Sequence, residues 1–247
     1  MPASSNRALL LDFEGIDGSG KGTQAQRLYS RLTSERYRCA LISFPRYSET
    51  LFGKAVGEFL NGRFGALDQM HPFLVSLLFA GDRFESRGML LDAIAQNDVV
   101  VLDRYVPSNI AHQASKCRGP ERTELIDRIL TIEHTLYGLP RADLVLHLDL
   151  PVDRARELIA RKAQRDYTDR AADIQEADGD YLGAVHDVYH SLSTTEPNWC
   201  RIDCCPDNRL LSIDEVHELV WRQVNSRLTG ADQKTPESLP QHRTGQP

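Results

Sequence analysis

Apolar residues follow two rhythms along this chain: short unbroken runs, and longer stretches spaced by three and four. The runs Ala8–Phe13, Cys39–Ser43, Asp98–Asp103, Leu144–Asp149 and Trp199–Asp203 have strand length. Val99, Val100 and Val101 mark the third as buried on both faces, as in a parallel sheet. Between them lie helical patterns: Ala25, Leu28, Tyr29 and Leu32, then Leu51–Leu60, Asp68–Ile94, Val106–Ser115, Pro120–Leu136, Val152–Ala163, Ile174–Leu192 and Ile213–Leu228. Strands alternating with helices predict an α/β domain over residues 8–228, with five parallel strands and helices on both faces. Residues 1–7 read as a flexible start. Residues 229–247, with only Ala231 and Leu239 apolar, read as a disordered tail.

The first strand runs into Gly15, Gly18, Ser19, Gly20 and Lys21, and a helical pattern follows at once. Strand, Gly-rich loop and helix together make a phosphate cradle. Glycines let successive N–H groups converge, the helix N-terminus adds positive potential, and Lys21 brings a mobile charge to terminal phosphates. The spacing Gly15-x4-Gly20-Lys21 fits the phosphate-loop template, but Gly22 stands where that template has Ser or Thr, and Thr23 comes one place late. The missing hydroxyl points to a metal held through water.

Composition and charge narrow the class. The chain has 247 residues and a formal net charge of −6, which argues against a broad nucleic-acid surface, so an anionic ligand must be met by clustered arginines. No apolar run approaches membrane-spanning length, and the residues MPASSNRA lack a signal-peptide core, so a cytoplasmic protein without membrane contact is expected. Cys39, Cys117, Cys200, Cys204 and Cys205 are odd in number and scattered, which fits neither a disulfide framework nor a complete metal site.

Further candidates lie where parallel strands deliver the chain to the ligand edge. After the second strand come Phe44, Pro45, Arg46 and Tyr47; Arg46 and Tyr47 are placed to face the same crevice, with a solvated loop arginine as the alternative. Phe79 and Arg83 are four apart and can offer a stacking ring beside a planar hydrogen-bonding fork for a flat base. Equally, Phe79 reads as core and Arg83 as paired with a surface carboxylate. Asp103 ends the third strand where a second acid holds magnesium or its waters, and Arg104 follows it. Asn109 and His112, three apart, can share a pocket, although a lone helical His is commonly structural. The charge-dense stretch with Arg161, Arg165, Arg170 and Asp173 is either a solvated helix and loop or a lid that closes over phosphates.

Together these pieces resemble the thymidylate kinase family of P-loop nucleoside monophosphate kinases. The resemblance rests on Phe13-Glu-Gly-Ile-Asp17-Gly-Ser-Gly-Lys21, Phe44-Pro-Arg-Tyr47, Leu78-Phe79-Ala-Gly-Asp-Arg83, Asp103-Arg104-Tyr105 with Ser108-Asn109, Gly138-Leu-Pro-Arg-Ala-Asp143 and Asp173-Ile-Gln-Glu176 before Tyr181. It implies a P-loop kinase fold with a short lid at about 161–176, a homodimer, and Mg²⁺-dependent transfer of the γ-phosphoryl group of ATP to dTMP.

By the same resemblance, Gly15, Gly18, Ser19, Gly20, Lys21, Gly22 and Thr23 hold ATP, and Arg161 stacks on adenine. Phe79 stacks on thymine, Arg83 meets its O4 edge and Asn109 its other polar edge. Asp17 contacts the sugar 3′-hydroxyl, and His112 stands near the 2′ position. The acceptor phosphate falls to Arg46 or Tyr47 with Arg104, within the Phe44-Pro45-Arg46-Tyr47 segment. Asp103 is the expected metal residue through water, with Asp173 and Glu176 as further candidates. Gly18 replaces an arginine found in some members, so Arg165 and Arg170 are expected to join Lys21, Arg104 and Asp17 in catalysis. Two other readings stay open: a kinase for UMP, CMP or deoxynucleosides, and a nucleotide-binding module without turnover.

Overall fold

The structure, a computed structural model, describes residues 7–65, 69–160 and 179–231. Five strands, β1 (Leu9–Glu14), β2 (Cys39–Ser43), β3 (Val99–Asp103), β4 (Leu144–Asp149) and β5 (Trp199–Asp203), form one parallel sheet in the order β2-β3-β1-β4-β5. Each agrees with its expected run to within a residue. The central β1, β3 and β4 are almost wholly buried, whereas the edge strands β2 and β5 are mixed, as their positions at the sheet's edges require. One member of the first run is not apolar. Asp12 is fully buried without a hydrogen-bond partner among the described residues, and burial, then Glu14, holds its pKa well above the usual carboxylate range.

The helices are α1 (Lys21–Ser34), α2 (Leu51–Leu60), α3 (Pro72–Glu85), α4 (Arg87–Gln96), α5 (Val106–Ala114), α6 (Gly119–Leu130), α7 (Val152–Ala160), α8 (Gly179–Thr195) and α9 (Ile213–Ala231). Residue parity assigns them to faces. Glu14 bonds to α5 and α8 on one side of the sheet. Asp103, paired with Phe13 and so on the other side, abuts the start of α1, which packs against α9. The main core lies in these two layers; a second cluster of Val56, Phe59, Leu60 and Val75 joins α2 to α3.

Three stretches differ from the pattern. The periodic span 68–94 divides at Ser86, a turn residue that closes α3 and precedes α4. The span 120–136 ends in a π-helical turn, Thr131–Leu136, whose wider ladder accompanies the complete burial of Glu133. The last helix continues to Ala231, past Leu228: its final turns are polar, so no apolar spacing marks them, and Thr229 Oγ1 donates back to Asn225 O at 2.9 Å. Residues 1–6, the lid span 161–176 and the tail from 232 lie outside the described residues.

The segment after β2 is held by close backbone packing. A Cβ on Gly53 would stand 2.1 Å from Arg46 O, a fixed neighbour rather than a flexible side chain. Gly53→Ala should therefore lose about 1–3 kcal/mol of stability by overpacking, outweighing the roughly 1 kcal/mol that alanine gains inside a helix. Chemical denaturation measures the balance; an unchanged or raised midpoint would show that the Arg46 segment gives way freely.

Candidate active site

The chain leaves β1 for one half of the sheet and returns to build the other half, so the carboxyl end of β1 is the topological switch point where open α/β sheets bind ligands. A crevice of about 930 Å³ opens there. Residues 17–24 form one wall; Phe44, Pro45 and Tyr47 follow β2, Asp103 and Arg104 end β3, and Leu210, Leu211 and Ile213 precede or begin α9.

Gly20 caps α1 in the left-handed region at φ 90°, which turns the loop into the helix. Lys21 Nζ donates to Gly15 O at 2.8 Å and Ile16 O at 2.9 Å, folding back over the loop. Burial, then the charge of Arg104, lowers the Lys21 pKa to about 8. Ser19 Oγ is buried without a partner among the described residues. Two glycines here leave room for neighbours. A Cβ at Gly18 would meet Ala155 O of α7 at 2.5 Å, so no arginine fits at that place unless α7 moves. A Cβ at Gly22 would stand 2.9 Å from Asp103 Oδ2, so the acid fills the space of the missing Ser or Thr side chain.

Opposite the loop, Glu14 organises the acceptor wall. It accepts from Tyr105 N at 2.9 Å, Ser108 N at 3.0 Å, Ser108 Oγ at 2.6 Å and Tyr189 OH at 2.7 Å. The sequence motif contains Glu14, yet nothing in its spacing assigned it a task; an acid closing a buried strand was the available signal. Arg104 precedes these amides with φ 69°, an uncommon conformation for a side-chain-bearing residue. Its Nη2 ion-pairs with Asp17, and its Nη1 lies 3.3 Å from Ser108 Oγ and 3.4 Å from His112 Nε2. Arginine only donates, so His112 Nε2 accepts and its proton sits on Nδ1, 2.9 Å from Tyr181 OH. Tyr181 OH in turn donates to His112 O at 3.1 Å. Burial, then Arg104, lowers the His112 pKa to about 3, so the ring is neutral.

On α3, Phe79 packs edge-on to Phe59 against the second core cluster, as the core reading had it, whereas Arg83 meets a buried carboxylate rather than a surface one. Its Nε and Nη2 donate to Glu133 at 2.5 and 2.7 Å, leaving Nη1 outside the pair. Asn109 Nδ2 reaches the same carboxylate at 2.8 Å. Arg46 turns to Glu49 and Ser86 and does not line the crevice, whereas Tyr47 does. Arg161, Arg165, Arg170, Asp173 and Glu176 lie outside the described residues. Among the described residues, the five cysteines are unpaired, no three acidic, His or Cys side chains gather as a metal cage, and no helix is long and apolar enough to cross a membrane.

A family profile described as "Thymidylate kinase" matches residues 13–219. The chain is 31% identical to the thymidylate kinase of Mycobacterium tuberculosis over 185 residues, covering 75% of this chain and 86% of that one. It is 28% identical to the human thymidylate kinase over 222 residues, covering 87% and 89% respectively. The solved structure of thymidylate kinase from Candida albicans superposes with a TM-score of 0.69 at 27% identity, over 91% of this chain and 94% of that one.

The lowered Lys21 pKa makes a measurable proton balance. With a pKa of about 8 Lys21 is partly uncharged in the free protein, and bound phosphates raise the pKa, so nucleoside triphosphate binding takes up protons near and above pH 8. Calorimetry at pH 8 in buffers of different ionisation enthalpy should show an uptake of roughly half a proton, shrinking below pH 7. Heats independent of buffer at pH 8 would mean that Lys21 is charged before the ligand arrives.

Proposed function

The chain belongs to the thymidylate kinase family, and from that premise we propose that it moves the γ-phosphoryl group of ATP to dTMP, forming dTDP and ADP. The observation that carries this reading is the pairing across one crevice: a phosphate loop with Lys21 on one wall, and Arg104, tied to Asp17 of that loop, on the other. An oxygen of the dTMP phosphate attacks the γ-phosphorus, the bond to the β-phosphate oxygen breaks, and ADP leaves in line. The protein supplies no covalent nucleophile; positioning and charge neutralisation carry the reaction.

In this reading Gly15, Gly18, Ser19, Gly20, Lys21, Gly22 and Thr23 hold the ATP phosphates, and Arg161 stacks on adenine. Arg104 and Tyr47 hold the acceptor phosphate beside Phe44 and Pro45, with Arg46 able to join only after leaving Glu49. Asp17 meets the 3′-hydroxyl, Phe79 stacks on thymine, and Arg83 and Asn109 read its polar edge. Neutral His112 borders the sugar. Asp103 would hold Mg²⁺: one carboxylate beside the loop, completed by phosphates and waters, is a donor set that suits this ion. When bound, Mg²⁺ neutralises charge on the β- and γ-phosphates. Arg165 and Arg170 add charge late, with Asp173 and Glu176 as further metal residues.

We also propose a homodimer, supported by exposed apolar residues on α2, α3 and the π-helical turn. Leu51 is 74% exposed, Leu74 54%, Phe84 50% and Leu136 70%, and Phe84 packs on Tyr137 with ring centroids 4.5 Å apart. Sedimentation velocity should give a two-chain species at micromolar concentration; a monomer under those conditions would remove the dimer.

ADP formation measured with dTMP, dUMP, UMP, CMP and AMP offered separately tests the reaction. Strong preference for dTMP is expected. Preference for UMP or CMP would reassign the acceptor, and ATP binding without turnover would leave a binding module. In the same assay, Arg165→Ala with Arg170→Ala should lower kcat by about 100-fold or more while ATP affinity changes little. Equal losses in both would place these arginines in ground-state binding.

A further inference from the structure

Glu133 takes no part in the chemistry proposed above, yet it is fully buried and accepts three N–H bonds. Oε2 takes Arg83 Nε at 2.5 Å; Oε1 takes Arg83 Nη2 at 2.7 Å and Asn109 Nδ2 at 2.8 Å. It reaches these groups from the π-helical turn, on an element separate from both α3 and α5. Asn109 gives a further bond from Nδ2 to Ser76 O at 3.0 Å, so both bonds from its amide nitrogen end on oxygens. A flip of that amide would set Oδ1 against a carbonyl and a carboxylate. Oδ1 is therefore held as an acceptor, and it is buried with no partner among the described residues. A buried acceptor left unpaired costs free energy until a donor arrives.

We propose that Glu133 is a positioning residue that sets base selectivity by locking Arg83 as a donor and Asn109 Oδ1 as an acceptor. This rests on the reading of Arg83 and Asn109 as the base-edge contacts. The locked pair matches a pyrimidine with a carbonyl at position 4 and N–H at position 3, the pattern of thymine and uracil. Cytosine presents an amine and a ring lone pair instead, so both contacts oppose it. Sites that leave buried polar groups unpaired reject the wrong ligand strongly.

The test is Glu133→Gln, which keeps the shape but cannot accept all three N–H bonds, because one of its oxygens becomes an NH₂ group. That amide must face Arg83 or Asn109, displacing the first or turning the second. We expect the dTMP-to-dCMP ratio of kcat/KM to fall by about 100-fold, with KM for dTMP raised about tenfold, kcat changed less and KM for ATP unmoved. A lower melting temperature with the ratio unchanged would make Glu133 a core ion pair only and overturn the proposal. The parent protein judges the underlying reading separately: no preference for dTMP over dCMP there would remove the base assignment itself, and this proposal with it. Should the variant fail to fold, the Asn109 side-chain amide protons of the parent decide. Slow exchange without nucleotide, with shifts on adding dTMP but not dCMP, supports the lock; rapid exchange overturns it.

Discussion

Four hydrogen bonds converge on the Glu14 carboxylate, at the end of the central strand and out of contact with solvent. Burial raises its pKa, and the bonds from Ser108, Tyr189 and Tyr105 oppose that rise. Two of the donors are backbone amides at the start of α5, where the helix favours negative charge. Glu14 therefore acts as a cap supplied from another element. It fixes where α5 starts, and with it the directions of Ser108, Asn109 and His112. Tyr189 brings α8 to the same point. Between the end of β3 and those captured amides the chain has one residue in which to turn, and Arg104 takes the left-handed conformation there.

The two walls of the crevice are built by opposite means. The wall at the loop is backbone and empty space: the missing side chains of Gly15, Gly18 and Gly22 let Leu148 O, Ala155 O of α7 and Asp103 come within contact distance. The wall at Arg104 is backed by a lattice of side chains, in which Arg104 holds both Asp17 and His112, and His112 holds Tyr181. A chain of net charge −6 can thus present a crevice suited to anions, because Lys21 and Arg104 both line it. Local placement decides the sign of the site.

What the residue pattern revealed was whatever depends on neighbours in sequence. Strand runs, the glycine spacing around Lys21 and the acid closing β3 are local signals, and their elements form as expected. The pairings that finish the site are not local. Arg83 to Glu133 spans fifty residues, and His112 to Tyr181 sixty-nine. Glu133 follows the buried Leu125 and Ile129 at four-residue spacing, so the pattern places it on the inner face but does not name the partners it meets there. Asp12 sits within an apolar run, and its complete burial comes from the strands and helices packed on either side of β1 rather than from its sequence neighbours. Gly18 read as a lost arginine; the packing of α7 supplies the reason for the loss.

That same contact makes the phosphate loop and α7 one mechanical unit. With Ala155 O pressed where Gly18 has no side chain, α7 cannot tilt toward the loop without pushing its backbone. α7 is described through Ala160, and the arginine-rich stretch follows it in sequence. A movement of α7 that presses on this contact is therefore passed directly to the backbone of the Gly-rich loop, with Gly18 as the point of bearing.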